Sequence, residues 1–230
     1  MSVAGRFSSI LFMGFAAIAL AACTTNGAYL GTSTVQTGFL VPATDEPYEV
    51  APVNLSLIDR KYHRQVVNYK ADQKPGSIVV DPQNKFLYFI MDGNKAMRYG
   101  IGVGRQGFGW SGNATIKRKR SWPTWTPPKE MQIRQPETAE WANGMPGGPQ
   151  NPLGARALYL YQGNKDTLYR IHGTPEWRSI GQNVSSGCIR MLNADIIDLH
   201  QRTPIGSEVT VLEARNPLSD VRDQIIEIVS

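Results

Sequence analysis

Short apolar runs set off by turn residues dominate the middle of the chain. Segments 77–81 (SIVVD), 86–91 (FLYFIM) and 96–103 (AMRYGIGV) are rich in β-branched and aromatic residues, and Asp81-Pro82 and Asp92-Gly93-Asn94 separate them. That composition is the mark of strands joined by tight turns. Connections this short predict antiparallel neighbours. Segments 158–161, 169–172 and 208–213 continue the pattern, whereas 193–202 has the one clear helical periodicity, with Asn193 as its expected N-cap. The expected architecture is a mainly β domain with one helix.

The flanks follow other rules. After Arg6 an apolar run occupies 10–20, too short to cross a membrane as a stable helix and placed as an export signal. It ends in Leu20-Ala21-Ala22-Cys23, which resembles the bacterial lipobox. A signal over 1–22 and lipidation at Cys23 are expected, so that a periplasmic protein is held at a membrane. Thr24 after the cysteine points to the outer membrane. Ordinary secretory cleavage after Ala19-Leu20-Ala21 is the alternative.

Residues 23–53, rich in Thr, Gly, Ala and Pro, read as a tether, and 54–75 as a pre-domain segment with one short helix. Within that segment Tyr62, His63 and Val66 are expected to cover a sheet edge. The main domain is expected over 76–213 and a tail helix over 214–230. Residues 104–154 hold Trp110, Trp122, Trp125 and Trp141 among many Pro and Gly. That is too long for a passive connection and is expected to line a site.

The formal charge of +5 suits an anionic partner such as a cell wall. The basic run 117–120 (KRKR) could suggest nucleic acid, but an export signal argues against it, and an exposed loop or strand edge accounts for the run. Of the two cysteines, lipidation of Cys23 would leave Cys188 as a lone thiol in an oxidising compartment. A small buried hydrophobe is the bland account.

The neighbours of Cys188 favour chemistry instead. A thiol becomes a strong nucleophile when an imidazole takes its proton or holds it as an ion pair, and His172 ends a predicted strand sixteen positions earlier. Gly187 permits a tight turn that can present main-chain N–H groups to an oxyanion. Arg190 shares a face with Cys188 if the segment is extended, and it could bind a carboxylate. No pair among His63, His172, His200 and Cys188 has metal-ligand spacing, so neither metal nor cofactor is expected.

Together, His172-Gly173 and Ser185-Ser186-Gly187-Cys188-Ile189-Arg190-Met191 resemble the signature of the L,D-transpeptidase (YkuD-like) catalytic domain. The resemblance runs over about 76–213 and includes Asn151-Pro-Leu-Gly154. It implies a β-sandwich-like fold with one helix beside the site, Cys188 as nucleophile, His172 as base, the Gly173 carbonyl orienting the imidazole, and the N–H groups of Gly187 and Cys188 as oxyanion donors. Many members have His before the Gly-Cys pair where this chain has Ser186. Ser185, Ser186 and Arg190 are accordingly taken as substrate-binding positions.

The implied reaction is acyl transfer from peptidoglycan tetrapeptide stems through a thioester, with release of D-Ala. The acceptor is an amine of another stem, giving a 3-3 cross-link, or an amine of an envelope protein. The alternatives are an L,D-carboxypeptidase acting on the same stems and a non-catalytic peptidoglycan-binding lipoprotein. Carbapenem-type β-lactams are implied to acylate Cys188.

Overall fold

The computed structural model describes residues 1, 33–36, 39–42, 46–104, 110–185 and 187–213. The expected signal, Cys23 and the 214–230 tail helix lie outside the described residues, Met1 aside. Two units are distinguished, Met1–Leu30 and Gly31–Ser230, and every element below belongs to the second.

In chain order the strands are β1 (Ser33–Gln36), β2 (Phe39–Pro42), β3 (Val53–Asn54), β4 (Gln65–Asn68), β5 (Ile78–Asp81), β6 (Phe86–Met91) and β7 (Lys95–Gly100). There follow β8 (Val103–Gly104), β9 (Gly112–Ser121), β10 (Arg156–Gln162), β11 (Lys165–Thr174), β12 (Asn183–Ser185), β13 (Ile189–Leu192) and β14 (Glu208–Val211). Two α-helices, α1 (Lys129–Arg134) and α2 (Asn193–Arg202), complete the set. The mainly β expectation holds.

Nine of these strands form one sheet in the order β13-β11-β10-β9-β14-β5-β6-β7-β4. The sheet curls until its β13 edge meets the chain beyond β7, where Gly102 and Arg190 exchange backbone hydrogen bonds of 2.9 and 2.8 Å. Two halves of one sheet thus face each other, which is the origin of the sandwich-like character.

Alternation fills the interior. Leu87, Phe89 and Met91 of β6, Ile78 and Val80 of β5, and Met97 and Tyr99 of β7 join Leu158, Ile171, Ile189 and Met191 in the main core. The opposite face of the same strands, with Val79, Tyr88, Ile90 and Ala96, forms a smaller cluster under Val67 and Tyr69. Period-2 alternation produces both layers. Each Val or Ile fully buried this way contributes on the order of 1.5–3 kcal/mol.

Several expectations need correction. Pairing is not uniformly antiparallel, because β14 runs parallel to β5 and β13 parallel to β11. Short turns report only on strands that follow one another, and these partners are far apart in sequence. The 117–120 run is not a loop: it lies in β9, where 118–120 pair with β10 whereas β14 pairs only with 112–115, so the run keeps the expected strand-edge character. Most of its side chains stay in water, so its apolar signal is weak. The supposed insertion therefore shrinks to 122–155, which contains a second, short helix.

The tether expectation also gives way in the described part of 23–53, where β1 pairs with β2 and β2 with β3. The segment 54–75 holds two 3-10 turns, Leu55–Leu57 and Arg60–Tyr62, in place of one helix. β4 then forms the sheet edge itself by pairing with β7. Finally, Asn193 does not cap α2: its Oδ1 accepts the Ala155 N–H at 2.9 Å, and the N-cap is Leu192 with no side-chain bond.

Candidate active site

β11 and β13 carry the candidate chemistry. Their parallel register pairs Ile171 with Ile189 and His172 with Arg190. Ile171 and Ile189 are both fully buried in the core, so His172 and Arg190 belong to the other face. Continuing the register by one residue sets Cys188 beside Arg170 on that same face. Diagonal neighbours across two strands stand roughly 7–8 Å apart at Cβ, a gap that an imidazole and a thiol together can bridge.

The imidazole is oriented from behind. His172 Nδ1 lies 2.6 Å from the Gly173 carbonyl oxygen, so Nδ1 carries the proton and donates it, and Nε2 keeps the lone pair. Burial lowers the imidazole's pKa to about 4; the Gly173 bond opposes the shift and the charges of Arg190 and Arg170 add to it. Burial also raises the Cys188 thiol, against a lowering contribution from the backbone and charge of Arg170 and the charge of Arg190. Near neutral pH the resting pair is thiol and imidazole, both uncharged, and not an ion pair.

Backbone geometry demands glycine at three places here. Gly187 has φ +127°, and a Cβ there would come within 3.3 Å of the Tyr169 ring. Tyr169 in turn stacks on Trp110, with ring centroids 5.5 Å apart. One tryptophan of the stretch expected to line a site thus supports the turn before Cys188. On the far side, a Cβ on either Gly154 or Gly173 would fall 2.2 Å from Asn193 Oδ1. Those two glycines let the Asn193 amide lock the start of α2 to β11 and to the end of the 122–155 segment.

That segment is fastened by another amide. Asn151, fully buried, donates from Nδ2 to the carbonyls of Pro123, Met145 and Pro146 at 3.1, 3.2 and 2.9 Å, and its Oδ1 accepts the Leu153 N–H. The sequence offered Asn151 only as part of a resemblance, because an isolated polar residue carries no periodicity.

Of the expected site residues, Cys188, His172, Gly173, Gly187 and Arg190 come together around one strand pair. Ser185 ends β12, which pairs with β8, and Ser186 lies outside the described residues. Two residues at this locality escaped the sequence reading. Arg170 had a readable signal, since it stands two positions before His172 in a strand and so shares its face. Glu176 had none: its Oε2 binds Arg190 Nη1 at 2.7 Å across a turn whose course only the fold determines. Among the described residues, no group of three or more His, Cys, Asp or Glu is placed to hold a metal ion.

A family model described as the L,D-transpeptidase catalytic domain matches residues 75–211, more than half of the chain. Among curated proteins, the probable L,D-transpeptidase ErfK/SrfK of Escherichia coli (strain K12) is 34% identical over 143 residues, 61% of this chain and 44% of that protein. The probable L,D-transpeptidase YbiS of the same strain is 36% identical over 140 residues, 59% of this chain and 44% of that protein. The match thus spans less than half the length of these relatives.

Among solved structures, one described as a probable carnitine operon oxidoreductase caia from Brucella melitensis is 51% identical. The match covers 69% of this chain and 99% of that one, with a TM-score of 0.48. Its description names an oxidoreductase, which the family model matched here does not. On the match over 75–211, the chain belongs to the L,D-transpeptidase catalytic domain family.

Proposed function

We propose that this protein is a cysteine acyltransferase that acts on the tetrapeptide stems of peptidoglycan through a thioester on Cys188. The observation that supports this best is the β11–β13 register, with Cys188, His172 and Arg190 on one face and the His172 Nδ1 proton held by the Gly173 carbonyl. That arrangement leaves Nε2 as the base.

Because both groups rest uncharged, the proton moves as the bond forms. Nε2 takes the thiol proton while Sγ attacks the carbonyl carbon of the stem's third residue. The negative charge that gathers on the carbonyl oxygen is met by backbone N–H groups of the Gly187 turn. As the intermediate collapses, the imidazolium returns its proton to the departing amine of D-Ala and the thioester remains. An acceptor amine then attacks the thioester, losing its proton to Nε2, and Cys188 leaves as the thiol. A carboxylate of the donor binds Arg190.

The reading extends to location. Export through the 1–22 signal and lipid attachment at Cys23 would hold the domain in the periplasm at the outer membrane, within reach of the wall. Stem peptides, or envelope proteins offering a lysine amine, are the acceptors.

The test is intact-mass analysis of the full chain with a disaccharide-tetrapeptide wall fragment over time. Loss of D-Ala with cross-linked dimer is the expected result. Loss of D-Ala with tripeptide as the final product even when candidate acceptor proteins are added would make the enzyme a carboxypeptidase. An unchanged fragment, with no acyl-enzyme mass, would overturn the proposal.

A further inference from the structure

Arg190 is built to receive a carboxylate, and in the resting protein one from its own chain already occupies the seat. Its side chain is 20% exposed while that of Glu176 is 69% exposed. A half-buried guanidinium thus meets a carboxylate that swings into water at little cost. Glu176 Oε2 engages Nη1 alone, at 2.7 Å, and Arg190 Nε is buried with no hydrogen-bond partner among the described residues. The fork geometry of arginine favours two parallel bonds to one carboxylate. Here that capacity is only half used.

The surroundings give the displaced carboxylate somewhere to go. Glu176 also lines a cavity of about 420 Å³ with Pro175, Trp177, Arg178, Ser179 and Val184. Arg178, stacked over the Trp177 ring at 4.3 Å, borders the same space, so a carboxylate leaving Arg190 stays near a second cation.

Position relative to the thiol identifies the ligand class. Arg190 lies two residues beyond Cys188 at the start of an extended strand, about 7 Å along the chain at ~3.3 Å per residue. In a peptide whose penultimate carbonyl is attacked by Sγ, the terminal carboxylate lies roughly one residue, ~3.8 Å, farther on. The long arginine side chain closes the remaining distance. A free C-terminal carboxylate next to the scissile bond is therefore the group that fits.

We propose that Glu176 is a positioning residue that stands in for the donor's C-terminal carboxylate on Arg190 and is displaced by it. Glu176 thereby sets the donor affinity and the preference for donors with a free C-terminus. This rests on the acyl-transfer reading above. A donor carrying the terminal carboxylate trades one ion pair for a better one; a donor ending in a carboxamide gains nothing at Arg190 and leaves Glu176 in place.

The experiment compares steady-state kinetics of the full-length wild type and Glu176→Gln on a disaccharide-tetrapeptide and on its C-terminal carboxamide. The expected result is a KM for the free-acid donor lower by roughly three- to tenfold in Glu176→Gln, the scale of one partly exposed ion pair. kcat should stay within about twofold, and the KM of the carboxamide should not change. Because Glu176 is exposed and the change is isosteric, the thermal midpoint serves as the folding control, and Glu176→Ala should repeat the KM effect. A free-acid KM equal to or above that of the wild type, or an equal drop for the carboxamide, overturns the role of Glu176 while leaving acyl transfer intact. A wild type that consumes neither donor overturns the acyl-transfer reading itself, and this inference with it.

Discussion

His172 on β11 and Asp198 on α2 are both buried, 4% and 1% exposed, yet their surroundings hold them in opposite states. The His172 imidazole bonds the Gly173 carbonyl, and burial keeps it neutral. Asp198 would be raised by burial as well, but Arg202, Arg64 and Tyr99 together hold its carboxyl below the usual range. The partners are close: Tyr99 Oη donates at 2.5 Å and Arg202 Nε and Nη2 at 2.9 and 3.0 Å, and Arg64 Nη1 makes an ion pair at 3.3 Å.

One turn earlier burial raises Asp195 to about 7, against the opposing charge of Arg64, whose Nε lies 3.7 Å away, and with the charge of Asp198 adding to the rise. Burial alone does not decide protonation; the number of donors that accompany it does. The candidate site keeps its groups uncharged and able to exchange a proton, whereas the network behind α2 keeps a fixed charge that ties the helix to β7.

The largest break in this comparison removes the proposed nucleophile. Cys188→Ala should reduce product formation by at least about a thousandfold and abolish carbapenem labelling, while the thermal midpoint stays within a few degrees. Residual turnover near the wild-type rate, or labelling that persists in the variant, would move the nucleophile elsewhere.

Cutting the network should do the reverse. Asp198→Asn leaves Arg202 and Arg64 facing an uncharged amide, and breaking one member of a buried ion pair costs about 3–5 kcal/mol. Urea denaturation should show that loss, with kcat per folded molecule close to wild type. A stability change under about 1 kcal/mol would mean that water already satisfies these arginines.

Protons sharpen the contrast further. His172 and His200 both fall from 6.5 to about 4 in the folded chain. Between those values the unfolded chain holds more protons, so stability is lost as pH falls from 6.5 to 4. Asp195 rises from 3.8 to about 7, so the folded chain holds more protons in that window and its contribution is lost as pH rises. The two slopes oppose each other. Asp195→Asn should therefore make the urea midpoint fall more steeply on acidification than it does in the wild type, and an unchanged slope would place Asp195 in water-like surroundings. On the kinetic side, the acid limb of kcat/KM should centre near 4 and not near 6.5, as read by its pH profile.

The smallest expected effect separates two neighbours in β9. Lys119 Nζ caps the end of α2 by bonding the carbonyls of His200 and Thr203 at 2.5 and 2.6 Å, whereas Lys117 bonds only the exposed Asn164 side chain at 2.9 Å. Lys119→Ala should lower stability by about 1 kcal/mol and Lys117→Ala by under ~0.5 kcal/mol. Equal midpoints for the two variants would deny Lys119 its capping role.

Much of this was legible before the fold. The segment 86–91 forms β6 over the same residues, and 193–202 forms α2 over the same residues, because turn residues bound an unbroken apolar run whose two faces meet two clusters in the first, and helical spacing of Ile196, Ile197 and Leu199 marks the second. Cys188, His172, Gly187 and Arg190 were legible because they fall within nineteen consecutive positions and their types are the ones a thiol nucleophile requires. β9 was obscured: its sequence GNATIKRKRS buries Ala114 and Ile116, and a register shift against β10 then interrupts the alternation. Asn193 misled in a different way. Asparagine before a helix is a good cap, but this one is drawn off to Ala155 by a close approach that Gly154 and Gly173 permit.

By itself, then, the sequence determined what is local: which segments alternate, where turns fall, and which thiol, imidazole and glycine stand near one another along the chain. Tertiary structure alone decided which distant partners meet. It brought β13 parallel to β11 and closed the sheet at Gly102 and Arg190. It also buried His172 deeply enough to stay neutral and placed Glu176 on Arg190. The physical reason is range. Periodicity and turn chemistry act over a few residues, whereas desolvation and charge pairing depend on neighbours that only the closed sheet and α2 bring into contact.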